Sequence, residues 1–349
     1  MRIAFVNQDA GIDPDRKKGA AVHLRAMRRA FEQVGATVLA IDHPDDDRTE
    51  AELRRHLDNG GLNLIYERYS ARGYVASRIA LEQDVPHVLE INAPLVEESR
   101  RFRPDAALSV DETAERCLFS NAHIVAVSEA MGTYARDRGA HADRVCVFPN
   151  AVDSELFYPR SDDQVRDRFV PPDRFVLGMH GRLREWHNFA MLVRVTERLL
   201  AEGAPVFLLV AGYGDGIDQL ERLPADSYEH IPWCPHEEVA SIVACFDALP
   251  MTYAPQENFY FSPLKLAEAM ACGVVPIVPD LGDLPDRVEH GVTGTVYPAG
   301  DEDALTDSLQ WLLADMPRTR RIQAQAAAAA KDTTWLSLAR QLLDQVLVP

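Results

Sequence analysis

The sequence predicts an α/β protein built from two parallel-sheet domains, and three observations predict it. Short β-rich runs alternate with amphipathic segments almost from end to end, the pattern of strands joined by helical crossovers. The alternation breaks over residues 150–173, a stretch rich in Pro, Asp and Arg, and then starts again. The chain has 349 residues, enough for two domains with separate cores.

Each element has a local reason. Arg2–Val6, Thr37–Ile41, Leu62–Glu67, His87–Ile91, Ile124–Val127 and Val145–Phe148 are short β-rich runs, so they predict strands. Ala20–Val34 and Gly73–Gln83 are amphipathic and predict helices between them. The stretch from Asn150 to Asp173 reads as a linker with about one helical turn. After it, strands are predicted at Phe175–Met179, Val206–Val210, Asp247–Met251 and Val274–Val278. Helices are predicted at Phe189–Leu200, Ile217–Leu223, His236–Cys245 and Pro263–Cys272. The Ala-rich run Gln323–Lys331 favours helix. Trp335, Leu338, Leu342, Leu343 and Val346 then recur at helical spacing. Two Rossmann-like domains are therefore expected at 1–158 and 159–333, followed by a terminal helix in 334–349. No short-period repeat is present, which excludes a solenoid.

Composition narrows the function classes. A net charge of −18 argues against general nucleic-acid binding and against adhesion to anionic membranes. No run approaches the length of about 18 apolar residues that a spanning helix needs. The start, Met-Arg-Ile-Ala-Phe-Val-Asn, reads as a strand rather than a signal peptide. Cys117, Cys146, Cys234, Cys245 and Cys272 are dispersed, without metal-ligand spacing. That dispersal predicts a reducing, cytoplasmic setting without structural zinc, and Cys146 and Cys272 read as small core residues.

The richest stretch is Tyr260-Phe-Ser-Pro-Leu-Lys-Leu-Ala-Glu-Ala-Met-Ala-Cys-Gly273. Ser262 suits an N-cap, Pro263 the first helical position and Gly273 a left-handed stop. The start of such a helix offers free N–H groups and a positive dipole end to an anion such as a diphosphate. Glu268 lies about one and a half turns further on in an apolar helix, where its carboxylate needs a donor partner. A ribose diol would supply two hydroxyls. A capped core helix with a paired buried Glu is the plainer alternative.

This segment resembles the donor-binding motif of retaining GT-B glycosyltransferases, in particular the GT4 group. In that motif, E-x7-E, the second Glu holds the ribose, and Glu268 matches it. Tyr260 stands where the first Glu usually contacts the transferred sugar, as in branches with F-Y-F-S-P-L-K; Glu257 is a nearby substitute. The resemblance implies the GT-B fold, with two Rossmann-like domains and a cleft between them, and covers nearly the whole chain. It implies donor contacts from Phe261, Ser262, Pro263, Leu264 and Glu268.

Other segments fit the same reading. Gly181 ends a predicted strand and is followed by Arg182, Arg184, Trp186 and His187. Carboxyl ends of parallel strands face a ligand crevice, where arginine pairs with phosphate oxygens. The family has a lysine where His187 stands, so Arg184 is expected to share the phosphate work. A solvated basic loop is the alternative. Gly212 and Gly214, in Val210-Ala-Gly-Tyr-Gly-Asp-Gly216, would let backbone pass close to the nucleotide, or simply form a turn. Trp233 is a candidate cover for the base, although an interior position is the ordinary expectation for a tryptophan. No Gly-x-Ser-x-Gly elbow is present to signal a Ser-His-Asp triad.

The first domain is expected to hold the acceptor. Lys17-Lys-Gly-Ala-Ala-Val-His23 resembles the family's glycine loop, so Gly19 is expected near donor phosphate and His23 near acceptor. Residues 16–29 carry six Lys or Arg and no acid, which suits an anionic acceptor, a membrane surface or an ordinary solvated face. Glu67, Arg68 and Tyr69 follow one predicted strand, and Asn92 another. Many relatives have histidine at Asn92; an amide orients hydroxyls but does not exchange a proton near neutral pH. Ser128, Glu129 and Asn150 also match family patterns, the last in Pro149-Asn-Ala-Val-Asp153.

The expected activity is transfer of a sugar from a nucleoside diphosphate donor, UDP or GDP, to a small-molecule or saccharide acceptor. The resemblance implies retention of configuration, no cofactor beyond the co-substrate and no metal. The expected catalytic set is Arg182, His187, Glu268, Tyr260 and Asn92. A homodimer is allowed; nucleic acid and membrane are not expected partners. The competing readings are an NDP-sugar epimerase or glycosyl phosphorylase on this scaffold, a catalytically silent GT-B subunit, and, more remotely, a nicotinamide oxidoreductase.

Overall fold

Hydrophobic strand runs and one-sided helices produce two parallel α/β units in the computed structural model, which describes residues 1–15, 19–70, 73–102, 112–160 and 163–347. One unit comprises Met1–Asn150, Tyr260–Ser262 and Trp335–Pro349; the other comprises Ala151–Phe259 and Pro263–Thr334. The first boundary thus falls earlier than residue 158, and three residues of the Tyr260 segment group with the first unit.

The first unit has a six-stranded sheet of β1 (Arg2–Asn7), β2 (Thr37–Asp42), β3 (Leu64–Arg68), β4 (His87–Ile91), β5 (His123–Ala126) and β6 (Val145–Val147). The order is β2-β1-β3-β4-β5-β6, with every pair parallel. Its helices are α1 (Gly19–Gln33), α2 (Asp46–Asp58), α3 (Val75–Glu82), α4 (Leu95–Phe102), α5 (Glu112–Asn121) and α6 (Glu129–Asp137). On α1, Leu24, Met27 and Phe31 form one buried stripe at spacings of three and four. α2 starts at Asp45, whose carboxylate accepts the Arg48 N–H at 2.7 Å. The chain's last helix, Trp335–Leu347, packs on α1.

The second unit has β7 (Phe175–His180), β8 (Val206–Ala211), β9 (Tyr228–Ile231), β10 (Ala248–Pro250), β11 (Val275–Pro279) and β12 (Thr295–Tyr297). Their order is β12-β11-β10-β7-β8-β9, again all parallel. The helices are α7 (Asp163–Phe169), α8 (Phe189–Ala201), α9 (His236–Val243), α10 (Leu264–Ala271), α11 (Glu302–Leu313) and α12 (Met316–Ala330), and α13 is the terminal Trp335–Leu347. Connections run outward in opposite directions from β7 and β10, which makes the gap between them the switch point where such sheets bind ligands.

Three expectations are corrected. The linker holds a seven-residue helix, α7, rather than a single turn. The expected helix at 217–223 is a 3-10 segment, Ile217–Arg222, because Gly216 before it is left-handed and offers no cap. Cys146 is only half-buried, whereas Cys272 is in the core.

Candidate active site

The switch point of the second unit is built by three loops. After β7, Gly181 takes φ 84°, and its N–H donates to the Ala211 carbonyl at 2.8 Å. The Leu183 N–H donates to the Tyr213 carbonyl at 2.8 Å, so pairing with the β8 loop continues beyond the strands. Gly212 (φ 157°) and Gly214 (φ 135°) make this pairing possible: a Cβ at Gly212 would stand 2.0 Å from the Gly181 oxygen, and one at Gly214 2.2 Å from the Leu183 oxygen. The neighbour that demands glycine is the chain's own backbone. After β10, the Thr252 hydroxyl donates to the His187 carbonyl at 2.8 Å and the Ala254 N–H to Trp186 at 3.0 Å, joining that loop to the first.

Within this frame, Glu268 on α10 is buried, and its Oε2 lies 2.7 Å from Nε2 of His180, the last residue of β7. The partner that its burial demands is a histidine of the same unit, which fixes the carboxylate's direction. Lys265, one turn earlier on α10, places Nζ 3.0 Å from Nε2 of His187. Desolvation lowers the lysine to a pKa of about 8, with Glu268 pulling the other way. Desolvation and the Lys265 charge press His187 down to about 3. A basic side chain contributed by α10 therefore stands beside His187.

Arg182 is exposed, its guanidinium carbon 5.7 Å from the Tyr213 ring centre, and Arg184 stands 5.9 Å from that of Trp186. Trp186, Tyr213 and Trp233 are 42%, 50% and 62% exposed, and all three follow the carboxyl ends of β7, β8 and β9. Trp233 is thus not interior. Glu257 is an exposed loop residue.

The N-cap assignment is corrected. α10 begins at Leu264 with Pro263 at the cap and no side-chain cap bond. In the first unit, Ser262 Oγ accepts the Asn150 N–H at 2.8 Å, and the Ser262 carbonyl accepts Asn150 Nδ2 at 2.5 Å. Ser262 is occupied with Asn150. Gly273 takes φ 73°, as a left-handed stop requires.

The first unit gathers its candidates around Glu90, a residue the sequence reading passed over. Its Oε2 meets His23 Nε2 at 2.8 Å and accepts the Tyr66 hydroxyl; its Oε1 meets Arg68 NH1 at 2.6 Å and accepts the Asn92 amide. Tyr66 and Arg68 are two apart on β3 and share a sheet face with Glu90. Burial pushes this carboxyl up, but His23 and Arg68 outweigh it and hold it well below the usual range. His23 Nδ1 is 2.8 Å from Asn150 Oδ1, and the ring lies edge-on to Trp335 with centroids 4.6 Å apart.

Other candidates have structural partners. Glu67 points to the opposite sheet face, buried against His87 at 2.9 Å. Tyr69 is buried in the core and donates its hydroxyl to Glu115 at 2.6 Å. These two are corrected from acceptor contacts to packing roles, since burial and pairing consume their polar atoms. Ser128 caps α6 by accepting the Met131 N–H at 3.3 Å and donates to the Tyr260 carbonyl at 2.9 Å. Glu129 is exposed and faces Arg136 at 3.3 Å. The Tyr260 hydroxyl donates to Glu98, and its ring lies 4.4 Å from that of Phe261. Gly19 is the first residue of α1, while Lys17 and Lys18 lie outside the described residues.

Among the described residues, no group of three or more His, Cys, Asp or Glu is arranged to hold a metal, and no helix is long and apolar enough to cross a membrane. Glu90, Tyr66, His180, Lys265 and Glu98 escaped the sequence reading. The available signals were an acid inside the apolar β4 run and a lysine inside the richest motif.

Comparison with known proteins accords with this geometry. Residues 4–151 match the family described as glycosyl transferase 4-like domain, and residues 174–315 the one described as glycosyl transferases group 1. A D-inositol 3-phosphate glycosyltransferase of Stackebrandtia nassauensis is 29% identical over 81% of this chain and 68% of its own length. The alpha-maltose-1-phosphate synthase of Mycolicibacterium smegmatis is 25% identical over 99% of this chain and 98% of its own. Among solved structures, Anabaena HepE in complex with UDP superposes with a TM-score of 0.75 at 19% identity, covering 100% of both chains. Sucrose-phosphate synthase from Thermosynechococcus elongatus gives 0.73 at 19%, covering 98% of this chain and 97% of that one. The two units of this chain are the glycosyl transferase 4-like and group 1 domains of a GT-B glycosyltransferase.

Proposed function

We propose that this enzyme moves a sugar from a nucleoside diphosphate donor, UDP or GDP, to a small-molecule or saccharide acceptor with retention of anomeric configuration. The observation that carries the reading is the pairing of Glu268 with His180 beside Lys265 and His187, at the switch point of the second unit. His180 occupies one carboxylate oxygen of Glu268 and leaves the other for ribose hydroxyls. Arg182, Lys265 and the N–H groups at the start of α10 would meet the diphosphate, whose negative charge grows as the glycosidic bond breaks. The exposed rings of Tyr213 and Trp233 offer stacking surfaces for the base.

In the first unit, Asn92 is held by Glu90 and offers no base, which supports same-face attack in which the leaving phosphate takes the acceptor proton. Arg182 and Lys265 would do the work that a metal does elsewhere, so activity should survive chelation. The test is sugar transfer from a panel of UDP- and GDP-sugars in the presence of EDTA, with free and phosphorylated polyols and saccharides as acceptors. Nuclear magnetic resonance of the product anomer reads the stereochemistry. An inverted product, or transfer that EDTA abolishes, would overturn the respective part of the proposal.

A further inference from the structure

The imidazole of His187 is fixed in one tautomer by its backbone. Its Nδ1 accepts the Arg184 N–H at 2.8 Å, so the proton of the neutral ring sits on Nε2. That nitrogen faces Lys265 Nζ at 3.0 Å. An ammonium has donors only, so the contact is a hydrogen bond only when Nε2–H donates to a neutral amine. The lysine stem runs beside Gly181, where an added Cβ would stand 3.4 Å from its Cε. Charged neighbours act in both directions. Arg184 adds positive charge to the loop, while Glu268, itself bonded to His180, lies one turn along α10.

We infer that Lys265 and His187 form an anion site that takes up one proton in alkaline solution when the donor's diphosphate binds. In the free protein above about pH 8 the Lys265 amine accepts from His187 Nε2–H. When phosphate oxygens arrive, Nζ takes a proton from solvent, becomes an ammonium and donates to them. The imidazole keeps its proton on Nε2 and is free to donate it to a second oxygen. Above that pH the charge of the leaving group is thus matched by a cation that forms on binding, and below it by one already present.

This inference rests on the proposed nucleotide site, and the experiment separates the two. Titration calorimetry with UDP, GDP and ADP, and with the parent nucleosides, is run at about pH 9 in two buffers of different ionisation enthalpy. The diphosphate is fully ionised there, and the uracil or guanine N–H, which titrates in the same range, is accounted for by the parent nucleoside. The nucleoside diphosphate that binds should take up close to one proton more than its nucleoside. Because the free amine titrates near 8, affinity should fall about tenfold between pH 7 and 9. Lys265→Arg should bind with the pH dependence of the nucleoside alone over that range and with no uptake beyond the nucleoside's, since a guanidinium stays charged. Tight binding by the unaltered protein without proton uptake beyond the nucleoside's would overturn the inference and leave the site standing. Absence of binding by all three nucleotides at any pH would overturn the site and the inference with it.

Discussion

His23 Nε2 lies 2.8 Å from Glu90 Oε2, across 67 residues of sequence, and both groups are buried. The other ring nitrogen faces the Asn150 amide oxygen, whose orientation is set because the same amide's nitrogen donates to Ser262. One ring therefore ties the end of β4 to the start of the Ser262 segment, within the first unit.

That tie gives Glu90 a structural role in the first unit. Glu90→Gln would leave Arg68 and His23 buried without their carboxylate, and should destabilise the protein by about 3–5 kcal/mol. Because the folded carboxyl is held below its ordinary value of 4.5, its contribution is present above that pH. It is lost as pH falls towards the folded value. Acid unfolding followed by circular dichroism should therefore begin below about pH 4.5 in the parent protein. The Gln variant should start lower in stability and lose less on acidification. Equal acid sensitivity of the two would refute this role.

Glu268→Ala should weaken binding of the cognate nucleotide by about 1.5–3 kcal/mol, the range for hydrogen bonds to a charged group. His180→Ala should weaken it less, because it removes only the group that aims the carboxylate. Calorimetry on folded variants decides. A His180 variant that loses as much as the Glu268 variant would make the pair a single structural unit instead.

Gly212→Ala should be poorly tolerated even without any ligand. The new methyl would meet the Gly181 oxygen, at a backbone angle that L-residues rarely adopt. A loss of about 2–3 kcal/mol follows from overpacking and backbone strain together. Urea unfolding measures it; an unchanged midpoint would mean that the loops after β7 and β8 are not stitched as described.

Tyr260→Phe removes one hydrogen bond to the half-exposed Glu98 and keeps the stacking on Phe261. It should retain most activity, whereas Tyr260→Ala should cost considerably more. A Phe variant with normal donor binding but turnover lowered about a thousandfold, ~4 kcal/mol, would make the hydroxyl a catalytic group.

Arg182→Ala should reduce turnover more than affinity for the bare nucleoside, since an exposed arginine after Gly181 is expected to act on the leaving phosphate. Initial rates and nucleoside affinity, measured on the same preparation, check this. Equal losses in both would assign it to loop structure.

The alternation of strands and helices was legible because most elements announce themselves within a dozen residues, although β9 and β12 were not among the expected strands. β4 was read residue for residue, and β1, β2, β7 and β8 each extend one residue beyond the expected end. Glu268 was legible for the same reason: its helix, stop and burial are local properties. Its partner was not, because His180 lies 88 residues away and only the sheet brings them together. Lys265 was quoted in the motif yet unassigned, since nothing local reveals that it meets His187, 78 residues upstream. Glu67 and Tyr69 erred in the opposite sense. Their position after a strand suggested a ligand, but strand alternation turned Glu67 onto His87, and a distant acid claimed the Tyr69 hydroxyl.

The grouping of Trp335–Leu347 with the first unit bears on how the protein is born. Trp335 lies edge-on to His23, and its helix covers α1, which the ribosome releases more than three hundred residues earlier. The second unit ends at Thr334 and draws nothing from the tail; the first unit needs it. An emerging chain therefore carries an unfinished amino-terminal half, with one face of α1 bare, until residues 335–347 have been made and released. Released chains truncated after Thr334 should accordingly show the second unit protected from protease and the first one more open to it.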